Sequence, residues 1–134
     1  MPLFRYVIIK HQTNKRPYMH RWHVIPRNRW LNIYFHKVVQ SDDDRALHDH
    51  PWWNMSIILK GRVRELLPDG TMRLLTPGSF QLRSPTDLHR LKLIKGAPYY
   101  SLFITGPRVR DWGFMCQSGW VKGPPPGEDF QGCE

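Results

Sequence analysis

Two imidazoles one residue apart, His48 and His50, lead into an apolar run, Met55-Ser56-Ile57-Ile58-Leu59. Strand side chains alternate between faces, so both rings lie on one face, at a spacing that suits chelation. Neutral imidazole is the commonest metal ligand in proteins. Such a pair is also stable at an exposed strand end, bonded to water and backbone, so a third ligand decides its meaning. His89 offers one, because it opens the alternation His89, Leu91, Leu93 against Arg90, Lys92 and therefore shares the apolar face of a short strand. Three neutral imidazoles occupy one face of a divalent metal and leave positions open, the arrangement of catalytic rather than structural sites. Asn54 has the parity of His48 and His50. It is expected to face the metal as a weak, neutral ligand, or else to orient a ligand or bound water by a hydrogen bond.

Other residues around these three are candidates for the pocket. Trp52 shares the inward parity and can wall it, although a tryptophan beside a core strand also serves simple packing. Tyr34 and His36 share a parity with one another and can line the same space. Arg45 follows Asp42-Asp43-Asp44, where it offsets part of their repulsion in a solvated loop or reaches a substrate. Arg83 can anchor an anion if its strand presents it inward; the reading adopted puts Phe80 and Leu82 on the core face instead. A separate tetrahedral zinc site is conceivable from His20, His23, Cys116 and Cys133. It requires residues 20–25 to be a turn or helix, since i and i+3 on a strand point to opposite faces.

The elements that must position these residues read as short strands. They are expected at 4–9, 30–39, 53–60, 62–67, 71–75, 80–83, 88–94, 99–105 and 109–115, with Pro68-Asp69-Gly70 closing a hairpin. Turn signals recur every eight to twelve residues or so and no helical period is present, which argues for an all-β sandwich or barrel.

At this point the chain resembles the cupins. Their first motif, HxH, three or four residues, Glu, six residues, Gly, corresponds to His48-Asp49-His50, then Asn54, then Gly61, with every spacing kept and Asn54 where the family carries a glutamate ligand. The second motif corresponds to Gly78, Pro85 and His89, with one residue fewer between Pro and His, Asp87 for the usual Gly and no Asn after the His. The resemblance covers residues 46–94 and implies a double-stranded β-helix, a jelly-roll barrel. It also implies one mononuclear divalent metal held by His48, His50 and His89. Without the glutamate the site keeps more positive charge and favours an anionic, chelating substrate, as in the three-histidine thiol dioxygenases of that superfamily. The expected activity is thus that of an iron-dependent, dioxygenase-like enzyme on a small anionic substrate, with manganese, nickel or zinc as other metals the ligand types allow. A metal-dependent isomerase or lyase is the alternative, as is a binding module for nucleic acid or a phosphorylated ligand.

Bulk properties bound the rest. The 134 residues fit one domain, 1–134, and 40% hydrophobic with 13% aromatic residues is ordinary globular composition. The net charge of +9 is uneven: residues 1–41 contain no acid. That basic segment suits an anionic partner, nucleic acid or a charged small molecule, and equally a solvated basic face. Gly123-Pro124-Pro125-Pro126-Gly127 begins an extended tail over 123–134. No signal peptide or membrane span is visible and the two cysteines are too few for a secreted disulfide framework, so a cytoplasmic protein is expected. An exposed sheet edge with many tryptophans makes a homodimer the expected assembly.

Overall fold

The computed structural model describes residues 5–10, 15–41, 47–117 and 119–123. The fold is all-β, as expected. It comprises β1 (Arg5–Lys10), β2 (Pro17–His23), β3 (Asn32–Val38), β4 (Leu47–His48), β5 (Asn54–Lys60), β6 (Val63–Leu66), β7 (Met72–Leu75), β8 (Phe80–Arg83), β9 (Arg90–Leu93), β10 (Tyr99–Thr105), β11 (Gly113–Cys116) and β12 (Gly119–Lys122). A six-stranded antiparallel sheet runs β1-β2-β3-β10-β5-β8, beside two three-stranded sheets, β12-β11-β4 and β7-β6-β9. An isolated antiparallel bridge between His48 and His89 links these two small sheets. No helix among the described residues is long and apolar enough to cross a membrane.

Strands β2, β4 and β12 carry no strong period-two apolar pattern and were not expected from sequence. Pro17-Tyr18-Met19-His20-Arg21-Trp22-His23 becomes a strand because β1 and β3 flank it on both sides, in continuous registers from Arg5↔His23 to Ile9↔Met19 and from Met19↔Val38 to His23↔Tyr34. Tertiary pairing overrides weak local preference here.

The six-stranded sheet turns much of its polar side inward. In β3, Asn32, Tyr34, His36 and Val38 are buried while Ile33 and Phe35 are only half-buried. In β5, Asn54, Ser56 and Ile58 are buried and Leu59 is exposed; in β8, Arg83 is buried while Phe80 and Leu82 are 53% and 65% exposed. This corrects the sequence reading of β8, whose apolar pair faces outward and whose arginine faces in. The inner space is therefore divided. One end is an apolar core of Val38, Ile58, Val63, Leu75, Leu93 and Tyr99; the other is lined by polar and ionisable groups. A smaller cluster of Phe114 and Cys116, with Trp112 against it, sits under β11.

Two turns fix the register around the site. The Pro68-Asp69-Gly70 turn joins β6 to β7 as expected, with Gly70 at φ +84° and the Asp69 carboxylate accepting the Thr71 N–H at 2.9 Å. Gly61 ends β5 at φ +83°, and a Cβ there would lie 2.8 Å from the Pro98 carbonyl oxygen and 3.0 Å from Tyr99 Cα. Both glycines occupy left-handed backbone, but nothing lies within 4 Å of a Cβ at Gly70. Gly70→Ala should therefore cost only the backbone penalty of roughly 1–2 kcal/mol. Gly61→Ala should cost clearly more, as read from the difference in denaturant midpoints at constant m-value.

Candidate metal centre

His48 and His89 are placed by the backbone before their side chains matter. Each donates its amide to the other's carbonyl, at 2.8 and 3.0 Å, while β4 is held on its other side by the pairing of His48 with Phe114 and Leu47 with Met115. The His50 amide donates to the Pro85 carbonyl at 3.1 Å and the Asp49 amide to the Gly113 carbonyl at 3.0 Å. Asp49, between the two histidines, is buried and accepts from the Gly113 amide at 2.7 Å and the Trp120 indole at 2.9 Å; Arg110 forms an ion pair with it at 2.8 Å. With that side chain clamped to β11 and β12, the flanking rings are left to converge. Ring centroids lie 5.0 Å apart for His48 and His50, 4.7 Å for His48 and His89, and 5.1 Å for His50 and His89. Ligand atoms of all three lie within 4.8 Å of one another, the one such cluster among the described residues.

Glu65 sets the orientation of His89. Its side chain is fully buried, and Oε2 faces the His89 Nδ1 at 2.8 Å and accepts from Arg83 Nε at 2.8 Å, while Oε1 accepts from Arg73 Nε at 3.1 Å. The hydrogen bond from His89 and the Arg83 guanidinium outweigh the opposing effect of burial and lower the carboxyl pKa to about 2. As a carboxylate, Glu65 accepts a hydrogen bond from the His89 Nδ1–H, which leaves Nε2 as the basic nitrogen. That Nε2 is buried and has no hydrogen-bond partner, and neither has Nδ1 of His50. The His50 ring is held well below the usual histidine pKa by burial first, then by His48, His89 and Arg83, so it is neutral near pH 7 and ready to ligate. Buried ring nitrogens without partners are costly unless something coordinates them. The donor set of three neutral imidazoles fits a divalent metal.

The three histidines open onto a cavity of about 330 Å³. Trp52 lines it, stacked on His50 at 5.3 Å and edge-on to Phe103 at 5.6 Å, and His36 lines it farther along. Tyr34 is buried behind His36, stacked on it at 5.6 Å, and does not reach the cavity. Arg83 faces inward, donating from Nη1 to Asn54 Oδ1 and Ser56 Oγ, both at 3.3 Å. Its charge is already committed to Glu65, so the expected free anion anchor is a structural ion pair. Asn54 is fully buried and bonded to that arginine, which matches the supporting role weighed for it better than that of a ligand. Arg45 lies outside the described residues.

The second zinc site lacks the geometry it requires. His20 and His23 lie on the regular strand β2 and so point to opposite faces; His20 Nδ1 bonds the Tyr6 hydroxyl at 2.6 Å, and His23 packs edge-on to Tyr34. Cys116 is disulfide-bonded and offers no thiolate, and Cys133 lies outside the described residues. Sequence reasoning passed over Glu65, Asp49 and Arg21. The signal for Glu65 was present: in Val63-Arg64-Glu65 it shares the face of Val63, an acid where the alternation calls for an apolar residue.

The sequence matches no family model and no curated protein. Solved structures do match its shape. An RmlC-like cupin from Shewanella frigidimarina NCIMB 400 superposes with a TM-score of 0.53 at 17% identity, covering 67% of this chain and 77% of that one. The fold is that of the cupins. Fe(II) HppE matches with a TM-score of 0.60 at 17% identity over 78% of this chain, which spans 58% of HppE. The polyketide cyclase RemF from Streptomyces resistomycificus matches at 0.62 and 16% identity, covering 77% of this chain and 73% of RemF. Asn54, which stands in place of the glutamate of the cupin motif, is buried on β5, and Glu65 on β6 supplies a carboxylate behind His89.

Glu65 also makes stability depend on acid. Its pKa is below the ordinary 4.5, so its contribution is complete above pH 4.5 and is lost as pH falls toward 2. The linked contribution amounts to roughly 3 kcal/mol. The deficit of Glu65→Gln in denaturant melts should thus be greatest near pH 7 and shrink steadily between pH 4.5 and 2.

Proposed function

We propose that this chain is a mononuclear metal-dependent cupin, with His48, His50 and His89 holding one divalent metal, iron(II) in preference, and a dioxygenase-like activity on a small anionic substrate. The observation that carries the reading is the convergence of three histidines whose ligand atoms lie within 4.8 Å, with buried, unpartnered nitrogens on two of the rings. Similarity in fold to Fe(II) HppE supports iron. Held by His48, His50 and His89, iron(II) would supply redox chemistry at this end of the cavity.

The chain's own residues do the remainder. Glu65 keeps the proton on His89 Nδ1 and so keeps Nε2 available. The neutral ligand set leaves the metal's charge uncompensated, which draws an anionic substrate to this end of the cavity. Trp52 and Phe103 form an apolar wall beside the site and limit water there. The resemblance to a polyketide cyclase supports a second reading, in which the metal polarises a carbonyl as a Lewis acid and oxygen is not needed.

The protein as purified should contain one divalent metal per chain by elemental analysis, lost in both His48→Ala and His89→Ala. Glu65→Gln should bind it about 10–100-fold more weakly. With candidate substrates, the iron form should consume oxygen in proportion to turnover; turnover unchanged without oxygen would select the Lewis-acid reading.

A homodimer is also proposed, through the outer face of the six-stranded sheet. Leu59, Phe80 and Leu82 are about half exposed or more there, and Tyr6 stacks with His20 and Trp22 at its other end. An apolar surface of this kind on one sheet face suits a two-fold partner. Light scattering should give twice the chain mass, and Leu82→Glu should return it to the monomer.

A further inference from the structure

Arg21 carries a charge that no carboxylate among the described residues neutralises. It lies on β2, lines the same cavity as the three histidines, and donates from Nε to His36 Nε2 at 2.9 Å. Its guanidinium lies 4.1 Å from the Tyr34 ring centroid. Among the described residues the charged and titratable groups acting on it are Tyr34, Arg27, Tyr18, His23 and His36, and no carboxylate is among them. Burial pulls it below the usual arginine value. Nη1 and Nη2 make no hydrogen bond to the described residues. By contrast Arg83, the buried arginine of the cavity, is fully used by Glu65, Asn54 and Ser56, while Arg21 is half-buried. An arginine positioned by a ring nitrogen and an aromatic face, with both terminal donors unused and no counter-charge among the described residues, is built to receive an anion.

We propose that Arg21, fixed by His36 and Tyr34, binds the carboxylate end of the substrate while the other end of that molecule reaches the three histidines. The inference rests on the metal-site reading for its second half only. With Nε engaged, the two terminal nitrogens form an end-on fork that matches the two oxygens of a carboxylate. The wall between the two ends is aromatic: His36 contacts Phe103 at 5.2 Å, Phe103 contacts Trp52 at 5.6 Å, and Trp52 stacks on His50 at 5.3 Å. The substrate class is therefore a monocarboxylic acid with an apolar middle and a metal-binding group at the far end.

The test uses hexanoate and 3-phenylpropionate, each against its primary amide, by calorimetric titration of the full chain, with metal content measured on the same samples. The acids should bind about tenfold or more tightly than the amides. Arg21→Met should abolish that preference with metal content unchanged and should melt at or above the wild-type temperature, because it removes a half-buried charge that meets no carboxylate among the described residues; a merely structural arginine would melt lower. Arg21→Lys keeps the charge and loses the fork, and its preference should be reduced but present. The inference is overturned if neither acid binds, if the preference survives in Arg21→Met, or if it disappears in His89→Ala and not in Arg21→Met. A metal-free wild type that still prefers the acids through Arg21 would remove the metal reading and leave this one standing.

Discussion

A fully buried carboxylate is tolerable only when its charge is met on every side, and Glu65 meets this condition through Arg83, Arg73 and His89. Those partners come from β8, β7 and the residue preceding β9, so one side chain of β6 ties both neighbours of its own small sheet to the edge of the six-stranded one. Arg83 in turn reaches Asn54 and Ser56 on β5. The orientation of His89, the inward side of β8 and the packing of β5 are thus settled together. Replacing any one member leaves a buried charge or donor unmet, which explains why polar residues occupy positions where a jelly roll would otherwise place aliphatic ones.

Much of the fold was legible because turn chemistry is local. Asp69-Gly70 closes the expected hairpin, and Gly61 marks the end of β5 at the position the motif gives it. What could not be read locally was which face of the sheet is inner. Alternation in β8 is clear, but Phe80 and Leu82 point out and Arg83 points in, because a cavity lined with charge reverses the usual rule that apolar faces are buried. Strand β2 escaped notice for a related reason: its residues are mixed, and it is a strand because of its neighbours.

The candidate site divides in the same way. His48, His50 and His89 were readable from their spacing, although only His48 lies on a strand, β4; His50 follows it in the loop before β5 and His89 immediately precedes β9. Glu65 and Arg21 were not, because their meaning depends on partners distant in sequence, His89 and Arg83 for the first and His36 for the second. The proposed pairing of His20 with His23 failed on the same geometry that favoured the HxH pair, an odd interval on an extended strand. The acid-free stretch over residues 1–41 also takes on a new sense: Arg21, on β2, turns part of that charge toward the cavity.

The two small sheets meet, among the described residues, through the single bridge between His48 and His89. Each side has its own apolar cluster, one around Val63 and Leu93 and the other around Phe114 and Cys116. A seam held by one bridge is where local opening costs less free energy than unfolding of the whole. The three rings straddle that seam, so any occupant they share acts as a rivet: it raises the protection of amide protons on both sides of the bridge together, and its departure lowers it.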